Sequence, residues 1–183
     1  VYHSTLIALK HLKLDVKHIT FAVEGFGNVG EFAAKFLCEA GAKLVAVSDS
    51  KGVLVNYNGI SFEKVKKVKQ EKGSVTAYGG TVLDGNKILD VHCDVLITAA
   101  IKDLIQTQDV PRLHFKVIVE GSNIPMSHTT EEELFRKGVL VIPDFVANAG
   151  GVISSYVEYK GGSVKDMWRL VEKKIVKNTR LVL

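Results

Sequence analysis

The chain has 183 residues, of which 46% are hydrophobic and 24% charged, with a formal charge of +4; this fits a globular protein with one well-buried core. Its lysines and arginines are scattered rather than gathered, so they read better as solvated surface than as a nucleic-acid interface. No apolar run reaches the roughly 20 residues a membrane span requires, no secretory signal opens the chain, and two cysteines, Cys38 and Cys93, make no disulfide framework, which together point to a reduced, cytoplasmic setting.

Residues 1–13 carry apolar positions at Leu6, Ile7, Leu9 and Leu12 and predict a helix. With neither an initiator Met nor a cap before it, this helix reads as a cut from a longer protein. The apolar stretch Ile19–Val23 predicts a buried strand, and the glycine-rich run Gly25-Phe26-Gly27-Asn28-Val29-Gly30 follows it. Apolar residues then recur at Phe32, Ala33, Phe36, Leu37 and Ala40, one face of a helix on which Cys38 is a small buried thiol, with Gly41 as the stop. Leu44–Val47 predicts a second strand ending at Ser48-Asp49, 19 residues past Gly30. Strand, glycine turn, helix, strand and acid stand in the order of a dinucleotide-binding βαβ unit.

The spacing has a chemical reason. Gly25 permits the tight turn, Gly27 lets backbone approach a pyrophosphate, and Gly30 lets the helix pack on the sheet. Free N–H groups of the first helical turn, around Asn28 and Val29, then face the phosphates with the helix dipole behind them. A glycine turn that binds nothing is the alternative. The flanking elements weigh against it.

Further along, Val53–Val55 predicts a short edge strand, and Ser61 caps a helix through about Lys72 with Phe62, Val65 and Val68 inward. Residues 73–92 are polar, with small strands expected around Asp84-Gly85-Asn86. Asp94–Thr98 and Lys116–Val119 predict buried strands; Thr130 and Glu133 fit a capping box for a helix closed by Gly138; Val139–Ile142 predicts a last strand. Helices are expected from about Ala147 to Tyr159 and from Ser163 to Arg180, the latter with Val164, Trp168, Val171 and Ile175 inward. The expected architecture is α/β, a Rossmann-type, doubly wound and mostly parallel sheet with helices on both faces, in a single domain over 1–183.

In such a sheet ligands sit beyond the carboxyl ends of the strands. Besides the glycine turn, those ends are Ser48-Asp49-Ser50-Lys51, Thr98-Ala99-Ala100, Glu120-Gly121-Ser122-Asn123 and Pro143–Gly151. Ala99 and Ala100 let a flat ring or ribose lie close, though small residues ease packing equally well. Asn123 and Asn148 each offer an amide donor and acceptor; one such residue is usually a turn former, but two at successive strand ends favour binding. The six histidines show no metal-ligand spacing, so no metal site is expected.

GFGNVG, AVSDSKG, EGSN and above all IPDFVANAGGVISSYVEY resemble the glutamate dehydrogenases, within the amino-acid dehydrogenases acting on glutamate, leucine, phenylalanine or valine. The likeness covers nearly the whole chain, and Ser154–Tyr159 is similar to the glutamate branch. The resemblance implies that Gly25, Phe26, Gly27, Asn28, Val29 and Gly30 hold a pyrophosphate, that Asn123 and Asn148 hold the nicotinamide and its ribose, and that Ser155 and Val152 form the pocket for the substrate's side-chain carboxylate. Asp49 favours NAD, whereas Ser50 and Lys51 favour a 2′-phosphate; the balance leans to NADP or dual use.

The reaction so implied is oxidative deamination of glutamate to 2-oxoglutarate and ammonia, in an enzyme that is typically a homo-hexamer. Its general acid–base lysine and aspartate belong to an N-terminal substrate domain with no counterpart here, so no catalytic residue is expected and the chain alone is expected to be inactive. Lys160-Gly161-Gly162 is similar to that family's lysine–glycine–glycine motif but lies in the wrong place and reads as a turn. The alternatives are a non-catalytic nucleotide-sensing module, or the cofactor domain of a leucine, phenylalanine or valine dehydrogenase.

Overall fold

The computed structural model describes all residues, 1–183. Its elements are α1 (Tyr2–His11), β1 (Thr20–Glu24), α2 (Asn28–Glu39), β2 (Lys43–Asp49), β3 (Gly52–Val55), α3 (Phe62–Lys72), β4 (Thr81–Leu83), β5 (Val95–Thr98), β6 (Val117–Glu120), α4 (His128–Arg136), β7 (Leu140–Ile142), α5 (Asp144–Ala147), α6 (Gly150–Tyr159) and α7 (Val164–Val182). One seven-stranded sheet runs β4-β3-β2-β1-β5-β6-β7. β2, β1, β5, β6 and β7 are parallel, and β3 is antiparallel to both β2 and β4. The strand order reverses between β1 and β5, which opens the crevice at which an α/β sheet receives a ligand.

Strand alternation explains the two cores. Phe21, Val23, Val95, Ile97, Val117 and Val119 point to one face, where they meet Leu9 of α1, Leu37 of α2, Val65 of α3 and Val146 of α5. Ala22, Leu96 and Ile118 point to the other, packing with Leu134 of α4 and with Ile88, Leu89 and Val110 from two 3-10 turns. Both faces are apolar because both are covered.

Several boundaries depart from the sequence reading. β3 is not an edge strand: its four residues are buried between β2 and β4. The small strand of the polar stretch is Thr81–Leu83, and Asp84-Gly85-Asn86 instead begins a 3-10 turn. Ser127, not Thr130, caps α4 by accepting from the Thr130 N–H; Thr130 is buried with its hydroxyl against that of Thr107. Ser61 caps α3 as its spacing predicts, and Gly73, left-handed at φ 75°, closes it.

The helix expected from about Ala147 begins at Gly150, and a short helix that the sequence reading lacks, α5, precedes it and ends at Ala147. Lys160-Gly161-Gly162 is a turn, with Gly161 at φ 69°. On α2, Phe32 is exposed and Phe36 half-buried, so the face that meets the sheet is the small one of Gly30, Ala33 and Ala34 with Leu37. On α7, Val164 and Trp168 are exposed and only Ile175 and Thr179 are buried. The Thr179 hydroxyl meets that of Ser4 on α1 at 3.0 Å, so the C-terminal half of α7 docks while its first turns stand away. Phe32, Phe36 and Trp168 thereby line an open groove of about 460 Å³ that Val29, Asn148 and Gly150 also border.

Candidate functional site

The glycine turn leaves β1 at the middle of the sheet. Gly25 has φ +87°, which an L-residue rarely adopts, and a Cβ there would lie 2.5 Å from that of Ala100. A Cβ on Gly30 would lie 1.8 Å from the Gly25 carbonyl oxygen, so only glycine lets α2 start this close to the turn. At Gly27 the result is the opposite: a Cβ would meet nothing within 4 Å. It would project into the open space ahead of α2.

The turn is held from β2, because Ser48 Oγ accepts from the Gly25 N–H at 3.1 Å and its carbonyl from the Phe26 N–H at 2.8 Å. Phe26 is buried and packs at 6.2 Å on Phe62. The first helical hydrogen bond of α2 is Glu31 N–H to Gly27 O. The N–H groups of Asn28, Val29 and Gly30 therefore lack intrahelical acceptors and sit at the positive end of the helix. An anionic pyrophosphate fits this cradle by charge, by donors and by the space over Gly27.

Glu24, the last residue of β1, supplies a contact that motif spacing does not reveal. Its buried carboxylate accepts from the N–H groups of Ala99, Ala100 and Ile101 at 3.0–3.2 Å. Burial pushes its carboxyl above the ordinary range, opposed by those three donors. An acid at the inner end of an apolar strand is the sequence signal that marks it. It fixes the Ala99-Ala100 loop beside Gly25.

At the end of β2, Asp49 has only 6% of its side chain exposed. It accepts from the N–H of Lys51 (3.0 Å) and Val75 (2.8 Å) and from Ser74 Oγ (3.1 Å), with Lys69 Nζ at 3.5 Å. Burial raises its pKa, but the backbone donors of Lys51 and Val75, Lys69 and Ser74 outweigh it and hold the carboxyl below its ordinary value. Ser50 and Lys51 are exposed at the same corner.

Asn123, just past β6, and Asn148, which follows α5, are bonded to each other: Asn148 Nδ2 donates to Asn123 Oδ1 at 2.8 Å. That leaves the Asn148 amide oxygen and the Asn123 amide nitrogen without a protein partner. Asp144 holds the pair from beneath. Its Oδ2 accepts from the Ile124 N–H at 2.8 Å and its carbonyl from the Asn148 N–H at 2.7 Å, while its own N–H donates to Glu120 Oε2 at 2.9 Å. Ile124 is at φ +47°, an unusual conformation for a β-branched residue.

On α6, Ser154 bonds back to Gly150 O and Gly151 O, whereas Ser155 and Val152 lie on the exposed side. The structure thus gathers the glycine turn, Ala99-Ala100 and the two asparagines along one edge of the sheet, with Asp49-Ser50-Lys51 at one end. No helix is long and apolar enough to cross a membrane.

The family described as Glutamate/Leucine/Phenylalanine/Valine dehydrogenase matches residues 1–179. A glutamate dehydrogenase of Aeropyrum pernix is 43% identical over 98% of this chain and 45% of its own length. An NADP-specific glutamate dehydrogenase of Saccharolobus shibatae is 43% identical over 79% of this chain and 35% of its own length. The chain spans less than half of each of these relatives. Among solved structures, the hetero-hexameric glutamate dehydrogenase of Thermus thermophilus shares the fold with a TM-score of 0.85 at 23% identity, over 97% of this chain and 44% of that one. The L-tryptophan dehydrogenase of Nostoc punctiforme does so at 0.73 and 23%, over 98% and 51%. Sequence motifs, site geometry and family match agree: the chain belongs to the glutamate/leucine/phenylalanine/valine dehydrogenase family.

Proposed function

We propose that this chain is the nicotinamide-dinucleotide half of a glutamate dehydrogenase, which oxidatively deaminates L-glutamate to 2-oxoglutarate and ammonia. The observation that carries the reading is the open space over Gly27, ahead of three free N–H groups. Gly27 to Gly30 would hold the pyrophosphate. Glu24, through Ala99 and Ala100, would shape the wall beside the adenosine and nicotinamide riboses. The bound dinucleotide supplies the hydride acceptor. Asn123 and Asn148, each fixed by the other, would orient the carboxamide and ribose of its nicotinamide half.

Ser155 and Val152, exposed on α6, would receive the glutamate side chain, the hydroxyl donating to its carboxylate. Cofactor choice leans to NADP or dual use. Asp49 is occupied by Lys51, Ser74, Val75 and Lys69 rather than turned outward to a ribose, and the exposed Ser50 and Lys51 suit a 2′-phosphate. The NADP-specific relative supports the same lean. The whole enzyme is proposed to be a hexamer in a reducing, cytoplasmic setting, where the free Cys38 and Cys93 stay reduced.

The 183-residue chain by itself is proposed to bind dinucleotide without turnover, since the general acid–base pair belongs to the substrate-binding part of the enzyme. Titration of the chain with NADPH and NADH, followed by an assay for glutamate-dependent cofactor reduction, tests both halves of the statement. Saturable binding with no reduction is expected. Absence of binding contradicts the cofactor assignment, and reduction by the chain alone contradicts the division of labour.

A further inference from the structure

Glu120 ends β6 with 2% of its surface exposed, and its two oxygens are unequally used. Oε2 accepts from the Asp144 N–H at 2.9 Å. Oε1 is buried without any partner, a costly state for a carboxylate and a cheaper one for a neutral acid. Asp144 in turn holds the Ile124 N–H through its carboxylate, while its carbonyl accepts from the Asn148 N–H as the closing bond of α5, so one residue links Glu120 to both asparagine loops. The left-handed backbone at Ile124 needs such a holder to persist.

We propose that Glu120 is a positioning residue whose protonation state sets the grip of Asp144 on the Asn123 and Asn148 loops, and through them the affinity for the nicotinamide half of the cofactor. This rests on the dinucleotide reading above. The charged groups acting on Glu120 are acids, Glu131 from α4 and Asp144 from α5, and no cation offsets them. β5 and β7 bring no titratable side chain to it. Burial, opposed by the Asp144 N–H and reinforced by the Glu131 and Asp144 charges, pushes its carboxyl up to about 8. At neutral pH Glu120 is then a neutral acid beneath Asp144. Above that pH it becomes a buried anion that draws in the Asp144 N–H while repelling the Asp144 carboxylate that holds the Ile124 N–H.

The test uses a reduced dinucleotide, which carries no positive ring to attract a new carboxylate, and its ADP-ribose counterpart (with the 2′-phosphate if NADPH binds the tighter). Binding of the reduced dinucleotide is expected to weaken about tenfold between about pH 7.5 and about pH 9.5, while binding of the ADP-ribose counterpart changes less than about twofold. Glu120→Gln is expected to flatten the dinucleotide profile, as is Asp144→Asn, which serves should the first variant fail to fold. A slope retained in the folded variants, a flat wild-type profile, or a parallel fall for the ADP-ribose overturns the inference. If neither ligand binds, the dinucleotide reading itself fails. Carbon-13 NMR of the Glu120 carboxyl in the free chain separates the two, because titration near the ordinary carboxyl range overturns the inference whatever binds.

Discussion

The carbonyl oxygen of Gly25 occupies the space that a side chain on Gly30 would need, with an ideal Cβ only 1.8 Å away. Neither backbone has room to yield, because Gly25 also lies against Ala100 and is held by Ser48. Gly30→Ala is therefore expected to destabilise the chain by about 3 kcal/mol, the cost of overpacking a rigid contact. Urea unfolding measures it. A change below about 0.5 kcal/mol would show that the α2 start can move.

Glu24 gathers three N–H groups that have no other acceptor, those of Ala99, Ala100 and Ile101. Glu24→Ala is expected to cost about 2–3 kcal/mol by stranding them, and to weaken dinucleotide binding by loosening the wall next to Gly25. Paired unfolding and binding titrations check both. Loss of stability with unchanged affinity would leave Glu24 a purely structural residue.

Asp49 is committed to Lys51 N, Ser74 and Val75, so the charge open to a cofactor at this corner is that of Lys51. Lys51→Glu is expected to lower the ratio of NADP to NAD affinity by about fivefold or more, by replacing attraction of the 2′-phosphate with repulsion. An unchanged ratio sinks the assignment of Lys51.

The buried acid Glu120 also predicts a pH dependence of stability in the absence of any cofactor. Its carboxyl titrates near 8 in the folded chain against 4.5 ordinarily, the raised-acid case. Below about pH 4.5 both states are protonated and nothing is lost. As pH climbs from there towards about 8 the unfolded state ionises first, so this group costs progressively more stability, and the cost is constant above. Glu120→Gln is expected to gain on wild type over that window and to lose its advantage at its acid end. Denaturant midpoints measured across the range decide it, and parallel curves for the two proteins would contradict the shift.

The glycine turn and the parallel sheet were legible because they rest on local chemistry: buried strands with glycine at fixed spacing, and a helix start after it. The glycines at 25, 27 and 30 differ in the way their spacing predicts, two pressed against backbone or side chain and one facing open space. What periodicity missed depends on the third dimension. Phe32 and Trp168 lie on the apolar stripes of α2 and α7 but line a groove, because small residues of α2 meet the sheet and the first turns of α7 stand off. The side chain of Asn148, just past α5, is bonded to that of Asn123, a contact between distant segments. Asp49 occurs at the spacing of a ribose acid, yet Ser74 and Val75, supplied from after α3, occupy it. No pattern within one segment announces such partners.

The most direct test of a dinucleotide seated over the start of α2 is calorimetric titration of the wild-type chain and of Gly27→Ala with NADPH and NADH. A methyl at Gly27 meets no protein atom within 4 Å and its backbone, at φ −98°, suits alanine, so unfolding free energies are expected to agree within about 1 kcal/mol. The wild type is expected to bind one dinucleotide per chain, and Gly27→Ala to bind it at least about tenfold more weakly, a loss of about 1.4 kcal/mol. Equal affinities in the two proteins, or no binding by a folded wild type, would contradict the account.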